Sequence, residues 1–220
     1  MEQFGCDVAG YLLKYVGSAG LSLTPKQLQQ VEIYANLLKG WSEKVNLTTI
    51  EDSRGVAIKH FLDSLHGIKA LAGLGVNDST RYLLDVGTGA GFPGLPLKIA
   101  IPDLRVVLLE KNHKKTSFLA SVIGTLRLEH VTILPYDVEW LVGESAWRKK
   151  FSVITTRAVH FDSEIASLEP FLIEGGYFLY FGTPQSVIQA ELARQFSFAD
   201  YEYELPCGMG SRRLQKMQPL

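Results

Sequence analysis

The chain is short of cysteine, of net charge and of long apolar runs, and each shortage closes off a class of protein. Its 220 residues hold two cysteines, Cys6 and Cys207. These stand far apart without metal-type spacing, so neither a disulfide framework nor a thiolate centre is expected, and a reduced, cytoplasmic setting is. Lysine and arginine number 22 against 23 acidic residues, a net charge of -1. A nucleic-acid partner must then be held by local patches, because there is no global basic field. No apolar run approaches the roughly 18 residues of a membrane span, so no membrane partner is expected. The opening MEQFGCDVAG has no basic n-region and reads as no secretion signal. His66, His113, His130 and His160 show no ligand spacing, and no metal is expected. What is present is an ordinary globular composition, 46% hydrophobic and 20% charged. That length suits one domain with an extension.

The stretch from Leu83 to Pro96, LLDVGTGAGFPGLP, organises the rest. An apolar run of strand length, Tyr82 to Val86, carries one carboxylate, Asp85, next to its end. Gly87, Gly89 and Gly91 follow at alternate positions, with Thr88 and Ala90 between them. Glycines so close together are costly to order; they make sense where a backbone turns sharply and a ligand approaches closely. After Gly94, Leu95, Leu97 and Ile99 lead into a short helix. Strand, glycine turn, helix is the opening unit of a Rossmann-type nucleotide fold. Gly89, Gly91 and Gly94 also fit G-x-G-x-x-G, so a dinucleotide stays open on that spacing. Asp85 weighs against it, because a pyrophosphate needs donors and a positive field at the helix end. The same carboxylate suits a ligand that is positive there, such as S-adenosylmethionine. A second acid, Glu110, ends the apolar run Arg105 to Leu109. It lies about 20 residues beyond the glycines, where a ribose-binding acid belongs. Two acids at neighbouring strand tips are expected to flank one crevice.

Residues 1–79 read as a helical extension and 80–220 as an α/β unit. Thr24-Pro25-Lys26-Gln27 is a strong helix start, with Thr24 as N-cap, Pro25 at N1 and Gln27 placed for a capping box. Leu28, Val31, Tyr34, Ala35, Leu38 and Trp41 recur at helical spacing, and Gly40 lies near that helix's end. A second helix is expected from about Ala57 to Leu71, with His60, Asp63 and Ser64 on or beside it. Gly73 to Ser79 marks a loop and the expected boundary. Beyond it the chain alternates. Strands are expected at 82–86, 105–109, 131–134, 151–155 and 176–181. Helices are expected near 94–100, 113–126, from Val138, from near Asp162, and over 184–196. This pattern implies a mostly parallel sheet with helices on both faces. Runs at 197–205 and 212–217 add an antiparallel edge pair.

With these residues in hand, the chain resembles the glucose-inhibited division protein B family, also called ribosomal RNA small-subunit methyltransferase G. The likeness covers most of the chain. It rests on Trp41 to Thr48 (W-x(4)-NLT), His60 to Ser64 (HFLDS), LLDVGTGAGFPGLPLKI, LLEKNHKKTSFL and Thr155 to Val159 (TTRAV). The resemblance implies a class I, Rossmann-like methyltransferase. It would transfer a methyl group from S-adenosyl-L-methionine to N7 of a guanine in 16S ribosomal RNA, on the small ribosomal subunit. Carried over by position, Gly87, Phe92 and Glu110 would contact the cofactor, Val138 and Glu139 would meet its adenine end, and Arg157 would sit at the transfer site as the catalytic residue. The rest of the loop, Asp85, Thr88, Gly89 and Gly91, and Lys111 after the second strand complete the expected cofactor set. Two departures remove positive charge near the implied RNA face. Asp137 stands where many members carry arginine, and Phe181 lies in a segment where many carry lysine.

Guanine N7 has a free lone pair and no proton to lose, so its methylation needs no general base. Holding base and methyl in line can supply about 7–11 kcal/mol of barrier reduction. The sequence offers basic clusters for phosphates: Lys111, His113, Lys114 and Lys115; Arg148 to Lys150; Arg212, Arg213 and Lys216. Lys114 and Lys115, with Asn46 and His60, are the RNA-binding candidates; His60 reads also as a hydrogen-bonded core histidine. The rivals are a methyltransferase acting on another RNA or a small molecule, a dinucleotide oxidoreductase, and a non-catalytic RNA binder.

Overall fold

The computed structural model describes residues 7–71, 82–157, 162–185 and 194–220. The boundary loop expected at 73–79 and most of the helix expected over 184–196 lie outside them. Among the described residues the sheet has seven strands: β1 (Tyr82–Val86), β2 (Arg105–Leu109), β3 (Val131–Leu134), β4 (Phe151–Thr156), β5 (Leu172–Gly182), β6 (Phe196–Glu204) and β7 (Ser211–Pro219). Their order is β3-β2-β1-β4-β5-β7-β6. The first five run parallel. β7 is antiparallel to both β5 and β6, which is the expected edge pair. The mostly parallel α/β fold read from the sequence is therefore present. The central strands are buried on both faces, as parallel strands under two helical layers must be.

Alternation along each strand divides the core in two. Leu83, Val106, Leu108, Val153 and Leu179 join the N-terminal helices and α6 (Gly94–Ala100) and α7 (His113–Leu126) in one cluster. Leu84, Val107, Leu109, Ile154 and Phe178 face the other way, toward α8 (Val138–Gly143) and α9 (Asp162–Leu168). The chain leaves β1 for β2 and β3 on one side, then crosses to β4 on the other. Such a reversal opens a crevice beyond the carboxyl ends of β1 and β4.

The N-terminal helices are α1 (Val8–Val16) and α2 (Pro25–Ser42). Thr24 and Gln27 form the reciprocal capping box at the start of α2. Gln27 Nε2 also donates to the Ile99 and Ala100 carbonyls, at 2.9 and 3.0 Å, and so satisfies orphan acceptors at the end of α6. Val31, Tyr34, Ala35 and Leu38 are buried on the inner stripe of α2.

The helix expected over 57–71 is more complex. It consists of α3 (Ser53–Gly55), a π-helical stretch Val56–Leu62, α4 (Asp63–Leu65) and, after a break, α5 (Ile68–Leu71). A 3.6-residue periodicity cannot foresee a π segment, whose wider turn inserts a residue. The break falls at Gly67, where a Cβ would stand 2.8 Å from Phe181 Cζ. That contact also accounts for Phe181, which is buried core. No helix of the described residues is long and apolar enough to cross a membrane.

Candidate active site

The turn after β1 runs through Gly87, Gly89 and Gly91, at φ of 63°, 61° and 91°, left-handed values that suit glycine. The glycines divide by what surrounds them. Gly87 is exposed. A Cβ on Gly89 would meet nothing closer than the Gly87 carbonyl at 3.9 Å, so the backbone there lies open to a ligand. A Cβ on Gly91 would sit 2.4 Å from Tyr34 Oη. One on Gly94 would be 2.8 Å from both Asp85 Oδ2 and Leu108 Cδ2, so that glycine lets α6 close on the sheet.

Asp85 is fully buried at the end of β1. Its Oδ2 accepts from Thr88 Oγ1 at 2.6 Å and from the Gly94 amide at 2.8 Å. Its Oδ1 is buried without a hydrogen-bond partner. Burial pushes the carboxyl up to about 7, against the pull of the Thr88 and Gly94 bonds and of Arg157, with Glu110 adding to the rise. Glu110, 8% exposed at the tip of β2, accepts from the Gly89 amide at 3.0 Å and the Asn112 amide at 2.9 Å. A carboxylate has about four lone-pair sites, so two stay available to a ribose diol.

Three side chains of the expected cofactor set face the protein interior. Asp85, Thr88 and Phe92 are 0, 2 and 4% exposed and turn their side chains inward. Asp85 and Thr88 bond each other. Phe92 is stacked between Tyr34 (centroids 5.3 Å apart) and His60 (4.6 Å). The two acids do flank the glycine loop, but they hold it by hydrogen bonds, and Asp85 presents no free face to a ligand.

Arg157 follows β4 directly. Thr156 is in register with Val86 and donates to its carbonyl at 3.1 Å, which sets Arg157 beside the start of the glycine turn. The guanidinium lies 5.4 Å from the Phe92 ring centre. Its Nη1 donates to the Lys59 carbonyl at 3.1 Å and stands 3.5 Å from Asp63 Oδ2. Its Nη2 meets His60 Nδ1 at 3.2 Å. Arginine only donates, so Nδ1 accepts and the ring proton belongs on Nε2, which donates to Thr48 Oγ1 at 2.7 Å. Burial first, then the charges of Arg157 and Lys59, lower His60 to about 3, so it stays neutral. With both ring nitrogens engaged inside the protein, His60 matches the alternative reading of a hydrogen-bonded core histidine.

The remaining candidates sit at the surface. Lys111 and Lys114 are exposed and Lys115 half-buried, around the start of α7; Asn46 is exposed in the connector after α2. Val138 and the exposed Glu139 open α8. Asp137, the family-atypical residue, caps that helix by accepting from the Trp140 amide at 3.1 Å. Sequence reasoning missed Tyr34, Tyr203 and Arg212 as neighbours of this site. The spacing of His60 and Asp63, two polar residues on one apolar helix, was the available signal.

Sheet order, glycine turn and strand-tip acid together define an S-adenosylmethionine-dependent methyltransferase of the Rossmann-like class. Solved structures share the fold. A predicted O-methyltransferase from Agrobacterium tumefaciens gives a TM-score of 0.55 at 20% identity, over 67% of this chain and 77% of that one. M. jannaschii TYW2 in complex with AdoMet gives 0.51 at 14% identity, over 72% and 77%. The profile of rRNA small subunit methyltransferase G (GidB) matches residues 27–209. The chain belongs to that family. A ribosomal RNA small subunit methyltransferase G from Lachnoclostridium phytofermentans is 38% identical, covering 91% of this chain and 78% of its own. One from Leuconostoc mesenteroides is 41% identical, over 76% and 70%.

Proposed function

We propose that this protein methylates N7 of a guanine in 16S ribosomal RNA on the small ribosomal subunit, in the cytoplasm, with Arg157 at the transfer site. The observation that carries the reading is the placement of Arg157: beside the glycine turn at the β1–β4 crevice, clamped from three directions. Bound in that crevice, S-adenosylmethionine supplies an electrophilic methyl group on its sulfonium. Open backbone at Gly87 and Gly89 would receive it, Glu110 would hold its ribose, and Lys111, Val138 and Glu139 would line its adenosine end. Arg157 would orient the incoming base and exclude alternative poses. His60 and Asp63 direct their acceptors at Arg157, so neither is placed to take a proton from substrate. A nucleophile that has no proton to lose matches that arrangement.

The N-terminal helices within residues 7–71 would serve as one wall of the crevice, since Tyr34, Phe61 and Phe92 pack in one buried cluster. Lys114, Lys115 and Asn46 would hold RNA. Base-edge access to N7 requires a splayed-out or unpaired guanine, because helical RNA buries that edge in a deep groove. The test is to map N7-methylguanine in ribosomal RNA from cells with and without the protein, and to restore it with purified protein on unmethylated small subunits. Loss of one N7-methylguanine and its restoration are expected; an unchanged map overturns the assignment.

A further inference from the structure

We propose that Asp63 is a positioning residue for methyl transfer, fixing the Arg157 guanidinium, and that the C-terminal β-hairpin holds Asp63 in turn. The inference rests on the role given to Arg157 above and adds how that role is maintained.

Asp63 is 3% exposed. Its Oδ2 faces Arg157 Nη1 at 3.5 Å. Its Oδ1 accepts from Tyr203 Oη at 2.8 Å and lies 3.8 Å from Arg212 Nε. Tyr203 lies on β6 and Arg212 on β7, 140 residues and more beyond Asp63. Tyr203 is itself fixed by a stack on His66, with ring centres 3.7 Å apart. The carboxylate therefore has one oxygen on the transfer-site arginine and the other on the hairpin. Among the described residues, Lys59, His60 and Asp63 engage three of the arginine's five N–H groups.

Stability alone is a weak reason for such a group. A buried ion pair often contributes little net stability, since desolvation offsets the attraction. What it fixes is direction. Arginine side chains are long and rotamer-rich, and Asp63, one turn after His60 on the same helix, limits Arg157 to one orientation over Phe92.

The test is a double-mutant cycle on purified small subunits, with binding of S-adenosylhomocysteine by calorimetry as the second readout. Asp63→Asn keeps an acceptor for Tyr203 and removes the charge. It should lower kcat about 10- to 100-fold, the scale of a misplaced catalytic group, with cofactor affinity within about twofold. Tyr203→Phe should lower kcat by a smaller factor. In an Arg157→Ala background, Asp63→Asn should cost nothing further, because the group it positions is gone. Full, multiplicative loss in that background would show that Asp63 acts independently; the inference falls and the role of Arg157 stands. Wild-type turnover of Arg157→Ala would instead overturn the reading beneath it. Should Asp63→Asn fail to fold, Tyr203→Phe carries the same cycle. Wild-type kcat in Tyr203→Phe, or full loss when it is added to Arg157→Ala, overturns the inference.

Discussion

The two sides of the crevice are built by different means. On the glycine side, carboxylates bind the loop at short sequence range: Asp85 to Thr88 and Gly94 across 3 and 9 residues, Glu110 to Gly89 across 21. On the Arg157 side, proposed above as the transfer side, side chains meet across long range: Arg157 with Lys59 and His60 across 98 and 97 residues, Tyr203 with Asp63 across 140. The first side is a rigid cradle whose shape follows from the local chain. The second is a set of polar and charged groups whose geometry depends on three separate segments docking correctly. Changes on the first side should register in folding and cofactor binding, changes on the second in turnover.

The largest effect that sharpens this contrast is steric. Gly94→Val would push a side chain into Asp85 Oδ2 and Leu108, both buried. Overpacking costs about 1–3 kcal/mol, and a lost buried bond to Asp85 costs about 1–3 more. We expect a loss of about 3 kcal/mol or more in urea unfolding. Gly89→Ala meets open space and should cost only the left-handed backbone penalty, about 1–2 kcal/mol. Its main effect should be weaker binding of S-adenosylhomocysteine. Equal stability losses in the two variants would erase the distinction between packed and open glycines.

Arg157→Ala comes next. It removes a largely buried group, its side chain 23% exposed, from the proposed transfer side, so turnover should fall about 100-fold while S-adenosylhomocysteine affinity changes less than about threefold. Parallel loss of both would place Arg157 on the cradle side. Unchanged turnover would refute its role.

Titration separates the sides in opposite directions. Asp85 is raised to about 7 in the folded protein, so its stabilising contribution is complete at acid pH and disappears as pH rises from about 4 to 7. His60 is lowered to about 3, so its contribution is complete above about 6.5 and is lost as pH falls toward 3. Each slope can reach about 1.4 kcal/mol per pH unit. Relative to wild type, Asp85→Asn should therefore gain stability between pH 4 and 7, and His60→Gln should lose it. Urea midpoints across that range check both; slopes of the same sign would contradict these environments.

How far the sequence alone reveals each side follows the same division. β1, β2, α7 and β3 fall at the expected residues, because short apolar runs and the glycine turn act locally. The π-helical stretch was hidden because its wider turn breaks the 3.6-residue spacing by which a helix is read. The inward turn of Asp85 was hidden too. Which face a strand-end carboxylate takes depends on the space that Gly94, nine residues on, leaves for it. Tyr203 and Arg212 carry no local mark of their contact with Asp63.

The smallest effect lies outside both sides, at the start of α7. Lys114 and Lys115 occupy its second and third positions, where their amides are capped by Asn112 Oδ1 at 2.9 and 3.2 Å. A helix N-terminus is the positive end of its dipole, so a cation there costs about 0.3–1 kcal/mol and an anion gains a similar amount. Lysines at these positions thus work against the fold and add to a positive field that suits a phosphate. Replacing both with glutamate should raise stability by a few tenths of a kcal/mol to about 1 kcal/mol, and should weaken RNA binding. The salt dependence of that binding should flatten by about one counterion per lost phosphate contact. Thermal unfolding and filter binding over a salt series measure the two arms. A stabilised variant whose salt slope is unaltered would remove these lysines from the RNA interface and leave them as plain surface charge.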